Sequence, residues 1–362
     1  MNLKEIIENR NSNFETVIKT FEETILPEVQ LKINSGRFHR MSSKLTSELL
    51  PTNQRNLTDA RTRIGTLLEY QFAFELNNLI KDKYLLSEYD VGFVLANQYP
   101  DLVIRNEFHE VVLRIEMKSI QGISEEKSAN FDALIRNIEK ETDLLCTILW
   151  EWEETEEKVA GVEFPKISKI YLFDAYEIAK IRDYGWLKNT TSSIGNKIID
   201  VSGVYVPVSD TVYKQEEGNI GKLLRVSTVA ENNLEANRYE IFKKEVQLFG
   251  IQQIVKKLVR LNFDEEVVFD SSQYDNTDVQ KIYDISNEKL NLLILAGNRR
   301  SKTKINTISK EKLTEKNIDS TYVVIMNEKF DWTLFEVTKN SILKINEGNK
   351  PQTLYEKVAT LF

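Results

Sequence analysis

Apolar positions recur at steps of three and four from Leu3 through Ile7, Phe14, Ile18, Phe21 and Ile25, which predicts one or two amphipathic helices ending at Pro27. A second helix opens at Thr58 or Asp59 and carries Ile64, Leu68, Phe72, Leu76 and Leu79 on one face to about Ile80. The stretch between them, 34–57, is rich in Ser, Asn and Arg and reads as connecting structure. The period then shortens. Residues 91–96, 102–105, 111–120, 144–152 and 167–173 form β-rich runs, with helical spacing over 127–142 (Phe131, Leu134, Ile135, Ile138) and again over 175–184. An acidic turn occupies 151–157.

Past the polar stretch 189–196, expected as a linker, and a loop at 216–219, the pattern predicts a helix over 231–261, broken near Gly250. Strands are expected at 267–269, 292–296, 322–326 and 332–337. Strands interrupted by helices imply an α/β fold in which a mixed central β-sheet is flanked by helices. The expected organisation is an N-terminal helical region over 1–57, a core over 58–190 and a C-terminal α/β region over 191–362, the last a candidate for target recognition or dimerisation. No internal repeat is visible.

Composition removes several functions. The only cysteine is Cys146 and the only histidines are His39 and His109, too few for a disulfide framework or a four-ligand Cys/His zinc site. Charged residues within the first four positions and the lack of any long apolar run point to a cytoplasmic protein without a membrane partner. There is no Gly-x-Ser-x-Gly elbow and no Gly-x-Gly-x-x-Gly, and Gly218-Asn-Ile-Gly-Lys222 has the wrong spacing for a phosphate loop. Chemistry must come from carboxylates and lysines. With 48 basic against 56 acidic residues the net charge is −8, so a polyanion would have to be met by local basic patches.

The run Tyr99-Pro100-Asp101-Leu-Val-Ile-Arg105, then Asn106 to Glu110, then Val111 to Ser119, reads as a β-hairpin. A turn centred between Phe108 and His109 sets Asp101 opposite Glu116. Alternation along the strand puts Glu116 and Lys118 on one face and Leu113, Ile115 and Met117 on the other. Two carboxylates offer hard oxygens suited to Mg²⁺, which keeps several waters and takes one or two carboxylates plus substrate phosphate. Lys118 could orient or deprotonate an attacking water and offset phosphate charge.

At these residues the chain resembles the PD-(D/E)XK nuclease superfamily, whose signature is Pro-Asp, a hairpin, then Glu-x-Lys on the next strand. Glu-x-Lys also occurs at Glu125/Lys127 and Glu156/Lys158. Only Glu116/Lys118 lies in an apolar strand a hairpin's distance after the single Pro-Asp. Many members carry a glutamate on the preceding helix, often after a glycine, and Gly65-Thr-Leu-Leu-Glu69 fits. Glu69 is then either a contributor to metal binding or site architecture, or an ordinary helix-surface glutamate. The resemblance spans roughly 58–180 and implies a restriction-endonuclease-like core. It also implies Mg²⁺-dependent phosphodiester hydrolysis, with Asp101, Glu116 and the Met117 carbonyl as metal ligands and Lys118 assisting the water. Among members, a free-standing chain of this size without ATPase or helicase motifs looks most like a type II restriction endonuclease. Such an enzyme acts on double-stranded DNA, as a homodimer, beside a companion DNA methyltransferase for the same site. A modification-dependent or repair nuclease, and an inactive DNA-binding module, are the alternatives.

Two basic stretches oppose the acidic background. In 36–63, Arg37, Arg40, Lys44, Arg55, Arg61 and Arg63 outnumber Glu48 and Asp59; in 299–312, Arg299, Arg300, Lys302, Lys304, Lys310 and Lys312 face only Glu311. Arg37, Arg40, Arg61, Arg63, Arg299, Arg300, Lys302 and Lys304 are the candidate DNA contacts, with 298–304 expected as a loop. Cys146, Trp150 and Trp152 read as core or cleft wall.

Overall fold

The computed structural model describes residues 2–35, 54–84, 86–94, 98–122, 129–154, 163–189, 198–201, 204–207, 222–226, 228, 233–262, 265–270, 279–286, 291–297, 302–327 and 330–361. They form an α/β protein with two mixed β-sheets. The chain divides into two compact units, Met1–Gln121 with Lys127–Lys243, and Gly122–Glu126 with Lys244–Phe362. Among the described residues no helix is long and apolar enough to cross a membrane.

The first unit opens with α1 (Leu3–Glu8), α2 (Phe14–Thr20) and α3 (Leu26–Ser35), the last two joined by a π-helical turn at Phe21–Ile25. Asn2 and Glu5 form a reciprocal capping box that starts α1. Pro27 does not end the helical path. It falls in the first turn of α3, where its missing N–H is least costly. Helix α4 (Gln54–Asp82) buries the expected stripe Ile64, Leu68, Phe72, Leu76 and Leu79.

Five strands follow, β1 (Asp90–Phe93), β2 (Leu102–Arg105), β3 (Val111–Gln121), β4 (Asp143–Glu154) and β5 (Glu163–Asp174), hydrogen-bonded in sequence order. All neighbours are antiparallel except β3 and β4, which run parallel. One sheet face, with Leu102, Ile104, Leu113, Ile115 and Met117, shares a single core with α4 and with Leu3, Ile7, Val17, Phe21, Val29 and Ile33 of the N-terminal helices. The expected boundary near residue 57 therefore does not divide compact units. The short N-terminal helices have no core of their own and bury their apolar faces on this sheet.

The helix expected over 127–142 is absent from the described part of that segment, which holds only a 3₁₀ turn at Ile135–Asn137. The cause is tertiary. Buried Arg182, on α5 (Ala175–Asn189), donates to the Phe131 and Ala133 carbonyls, and its neighbour Asp183 accepts from Ile135 N at 3.1 Å. Those backbone groups are thereby drawn away from a helical ladder. A small hairpin, β6 (Ile198–Val201) with β7 (Val204–Pro207), and α6 (Leu234–Asn262) follow. Helix α6 runs unbroken past Gly250, and Tyr239 and Phe242 pack edge-on against Phe173 of β5. The first unit therefore extends to Lys243 rather than ending near residue 190.

The second unit holds six strands in the order β13-β12-β11-β10-β9-β8. These are β8 (Glu265–Asp270), β9 (Val279–Ser286), β10 (Asn291–Gly297), β11 (Ser320–Met326), β12 (Trp332–Thr338) and β13 (Ile342–Gly348). Only β10 and β11 are parallel, joined through α7 (Lys302–Lys316) as a βαβ crossover. Leu292, Ile294 and Ala296 pack with Ile254, Leu258 and the helix α8 (Pro351–Ala359) residues Leu354 and Val358; Leu293 and Leu295 pack with Ile308 and Leu313 of α7. β9, β13, α7 and α8 had no counterpart in the sequence reading.

Candidate active site

The hairpin has the expected register: Leu102, Val103 and Ile104 face Ile115, Arg114 and Leu113, with a bulge before Arg105. Continuing that pairing outward brings Asp101, just before β2, to Glu116. Asp101 Oδ2 accepts from Met117 N at 2.6 Å, which pins the carboxylate to the β3 backbone. The Lys118 ammonium lies among three oxygens: Glu116 Oε1 at 2.6 Å, the Met117 carbonyl at 2.8 Å and Asp101 Oδ2 at 3.7 Å. Glu116 Oε2 is buried and has no hydrogen-bond partner.

Burial and the neighbouring charges act against one another at Glu116 and Lys118. Burial raises the Glu116 carboxyl, the Lys118 charge opposes it, and neighbouring Asp101 adds to the rise. Burial works to discharge Lys118, but Glu116 and Asp101 together outweigh it and hold the side chain above the ordinary lysine range. In this arrangement Lys118 is an ammonium, a donor and positive charge rather than a base.

Glu69 joins this environment from α4. Its carboxyl is pushed up to about 7 by burial first and by the Asp101 charge next, with Lys118 pulling the other way and Glu116 adding. Gly65, one turn earlier, eases the approach of α4 to β3: a Cβ there would lie 2.9 Å from Ser119 Oγ of β3, whose hydroxyl would have to turn away. Glu69 is half-buried.

Four neighbouring residues escaped the sequence reading. Arg114, two positions before Glu116 on the same face of β3, forks onto both oxygens of Asp143, its ladder partner at the start of β4. Tyr99 donates its hydroxyl to Asp143 Oδ2 at 2.7 Å, and burial first and then the Asp143 charge keep that phenol protonated. The available signals were Arg114's parity with Glu116 and Tyr99's place before Pro100-Asp101. Nothing in the sequence pointed to Asp143. Thr147, paired with Lys118 across the ladder, has a buried hydroxyl with no partner.

The basic candidates are less defined. Arg63 is exposed on α4, while Arg61 lies on the same helix with its side chain outside the described residues. Arg37, Arg40, Arg299 and Arg300 also lie outside them. Lys302 and Lys304 fall in the first turn of α7, so the expected loop is helical from Lys302, and their side chains are not described. Cys146 and Trp150 are buried core residues, as expected.

Among the described residues no group of three or more His, Cys, Asp or Glu side chains is assembled to hold a metal ion. The donors that do converge are two carboxylates and a backbone carbonyl, with one carboxylate oxygen left unpaired. That set fits a hard divalent cation completing its shell with water and phosphate. No protein-family model, curated protein or solved structure matches the chain.

Proposed function

We propose that the protein is a Mg²⁺-dependent, site-specific endonuclease for double-stranded DNA, a type II restriction endonuclease with a restriction-endonuclease-like core in its first unit. The observation that carries this reading is the convergence of Asp101, Glu116 and the Met117 carbonyl on the Lys118 ammonium beside an unpaired buried carboxylate oxygen. Asp101, Glu116 and the Met117 carbonyl would hold the cation, which when bound supplies Lewis acidity and a lowered pKa for its water. Lys118 donates to the scissile phosphate or the attacking water and offsets developing negative charge. Asp101 stays oriented through Met117 N, and Glu69 adds carboxylate character from α4. A homodimer addressing both strands, and a companion methyltransferase protecting the same site, belong to this proposal.

Digestion of unmethylated plasmid and phage DNA by purified protein with Mg²⁺, beside an Asp101→Ala control, tests it. Discrete fragments from the wild-type protein alone are expected. Intact DNA overturns the restriction reading. Cleavage confined to methylated or mismatched DNA would indicate a modification-dependent or repair nuclease, and salt-sensitive DNA binding without cleavage an inactive binding module.

A further inference from the structure

We propose that Asp143, acting through Tyr99 and Arg114, is the positioning residue that sets the separation of Asp101 from Glu116. The inference rests on the nuclease reading and deepens it by naming what holds the two carboxylates in place. Asp101 lies just outside β2, its carbonyl accepting from Val94 N at 3.0 Å and its carboxylate from Met117 N at 2.6 Å, while the residue before it, Pro100, has no N–H to donate. Tyr99 adds a tie on the far side of the proline with its side chain. Its hydroxyl donates to Asp143 Oδ2 at 2.7 Å, and its ring lies 5.3 Å beneath the Arg114 guanidinium.

Asp143 itself is 0% exposed and fully engaged. It accepts from Arg114 Nε and Nη2, from Tyr99 and from Glu139 N at 3.1 Å, while Arg114 also reaches Glu139 Oε1 at 2.7 Å and the Asn137 carbonyl at 3.1 Å. One buried carboxylate therefore clamps the segment that delivers Asp101 to the strand that delivers Glu116. A network satisfied this completely has few alternative geometries, so it holds the approach to Asp101 on the side of the proline that the Val94 and Met117 bonds do not reach. Removing one member loosens the Asp101 side of the site while the β3 side remains held by the ladder.

Tyr99→Phe is the test, because it deletes the hydroxyl and keeps the ring under Arg114. Calorimetric titration with Mg²⁺ and with Mn²⁺ should show affinity falling about tenfold. In steady-state cleavage kcat should fall in parallel while KM for DNA stays at the wild-type value. Leu293→Ala, a core truncation in the second unit, is the control: it lowers the denaturation midpoint yet leaves cation affinity unchanged. The positioning role alone is overturned if wild type binds the cation and cleaves while folded Tyr99→Phe matches it in both. A rise in KM with unchanged kcat and cation affinity also overturns it. Wild-type protein that neither binds a divalent cation nor cleaves DNA overturns the nuclease reading and this inference together.

Discussion

The two sheets share one plan and use it oppositely. Each is built of antiparallel neighbours around a single parallel pair, β3/β4 in the first and β10/β11 in the second. In the second, the parallel strands are apolar on both faces, and the polar groups at their ends close on one another. Buried Asp284 accepts from Asn291 Nδ2 at 2.9 Å and from Lys316 at 2.8 Å, and Thr321 Oγ1 lies 2.6 Å from Asn291 Oδ1. Among the described residues, the unpaired buried polar atoms of that unit sit on its helices, at Gln253, Ser309 and Tyr355. In the first sheet the parallel pair itself carries Arg114, Glu116 and Lys118 on one face, with Glu116 Oε2 and Thr147 Oγ1 unpaired. A buried polar atom without a partner costs free energy, so a fold selected for stability alone would close or remove it. The second sheet is built for packing. The first bears that cost where two carboxylates and an ammonium meet, at the candidate site of the proposed chemistry.

The contrast breaks first at the ammonium. Lys118→Ala or Asp101→Asn should reduce cleavage by about a thousandfold, with fold and DNA binding kept; agarose digestion and a DNA-binding titration on the same preparations measure both. Retained cleavage in either variant removes the site assignment. The opposite behaviour is expected of the second sheet: Leu293→Ala should cost about 2 to 5 kcal/mol in urea denaturation followed by tryptophan fluorescence, without altering the activity of the folded protein. A sharper comparison uses one substitution in both sheets. Thr147→Val removes an unpaired hydroxyl and should stabilise by about 1 kcal/mol, whereas Thr321→Val leaves Asn291 short of a partner and should destabilise by about 1 kcal/mol. Equal signs for the two would contradict the distinction between open and closed polar groups.

The smallest effect concerns pH and also belongs to the first unit. Burial raises Asp174 to about 6 and Glu235 to about 7, and the Asp174 backbone N–H donates to Glu235 Oε1 at 2.7 Å. Carboxyls whose pKa is higher folded than unfolded hold extra protons in the native state. Their stabilising contribution is complete below the unfolded value and is lost as pH rises through the folded one. The melting temperature should therefore decline between about pH 4.5 and 7, the interval set by Glu235 together with Glu69. Glu235→Gln, which keeps the acceptor for Asp174 N, should lessen that decline and leave the share carried by Glu69; an unchanged slope would assign it elsewhere.

Much of the candidate site's geometry was legible because it is local. Strand alternation and a tight turn set the register that brings Asp101 to Glu116 and put Lys118 beside them, and both depend on residues within one hairpin. The helical stripe from Ile64 to Leu79 was legible for the same reason. The segment over 127–142 was misread because its apolar spacing is helical while its backbone is claimed by Arg182 and Asp183, some fifty positions away. Strands β9 and β13 were missed because neither shows clean alternation: β9 mixes Lys281 and Asp284 among its aliphatics, and β13 is an edge strand with Ile342, Leu343 and Ile345 exposed.

By itself the sequence determined the period-two and period-3.6 segments, the hairpin register and the residue types available for chemistry. Each follows from steric and hydrophobic preferences acting over a few residues. Only the tertiary structure decided that the N-terminal helices share the first sheet's core, that Gly65 eases the approach by which α4 brings Glu69 toward Asp101, and that Asp143 meets Tyr99 and Arg114. Those are encounters between distant parts of the chain. Which of them form is set by how whole faces bury and how buried charges find partners, and no local pattern records that.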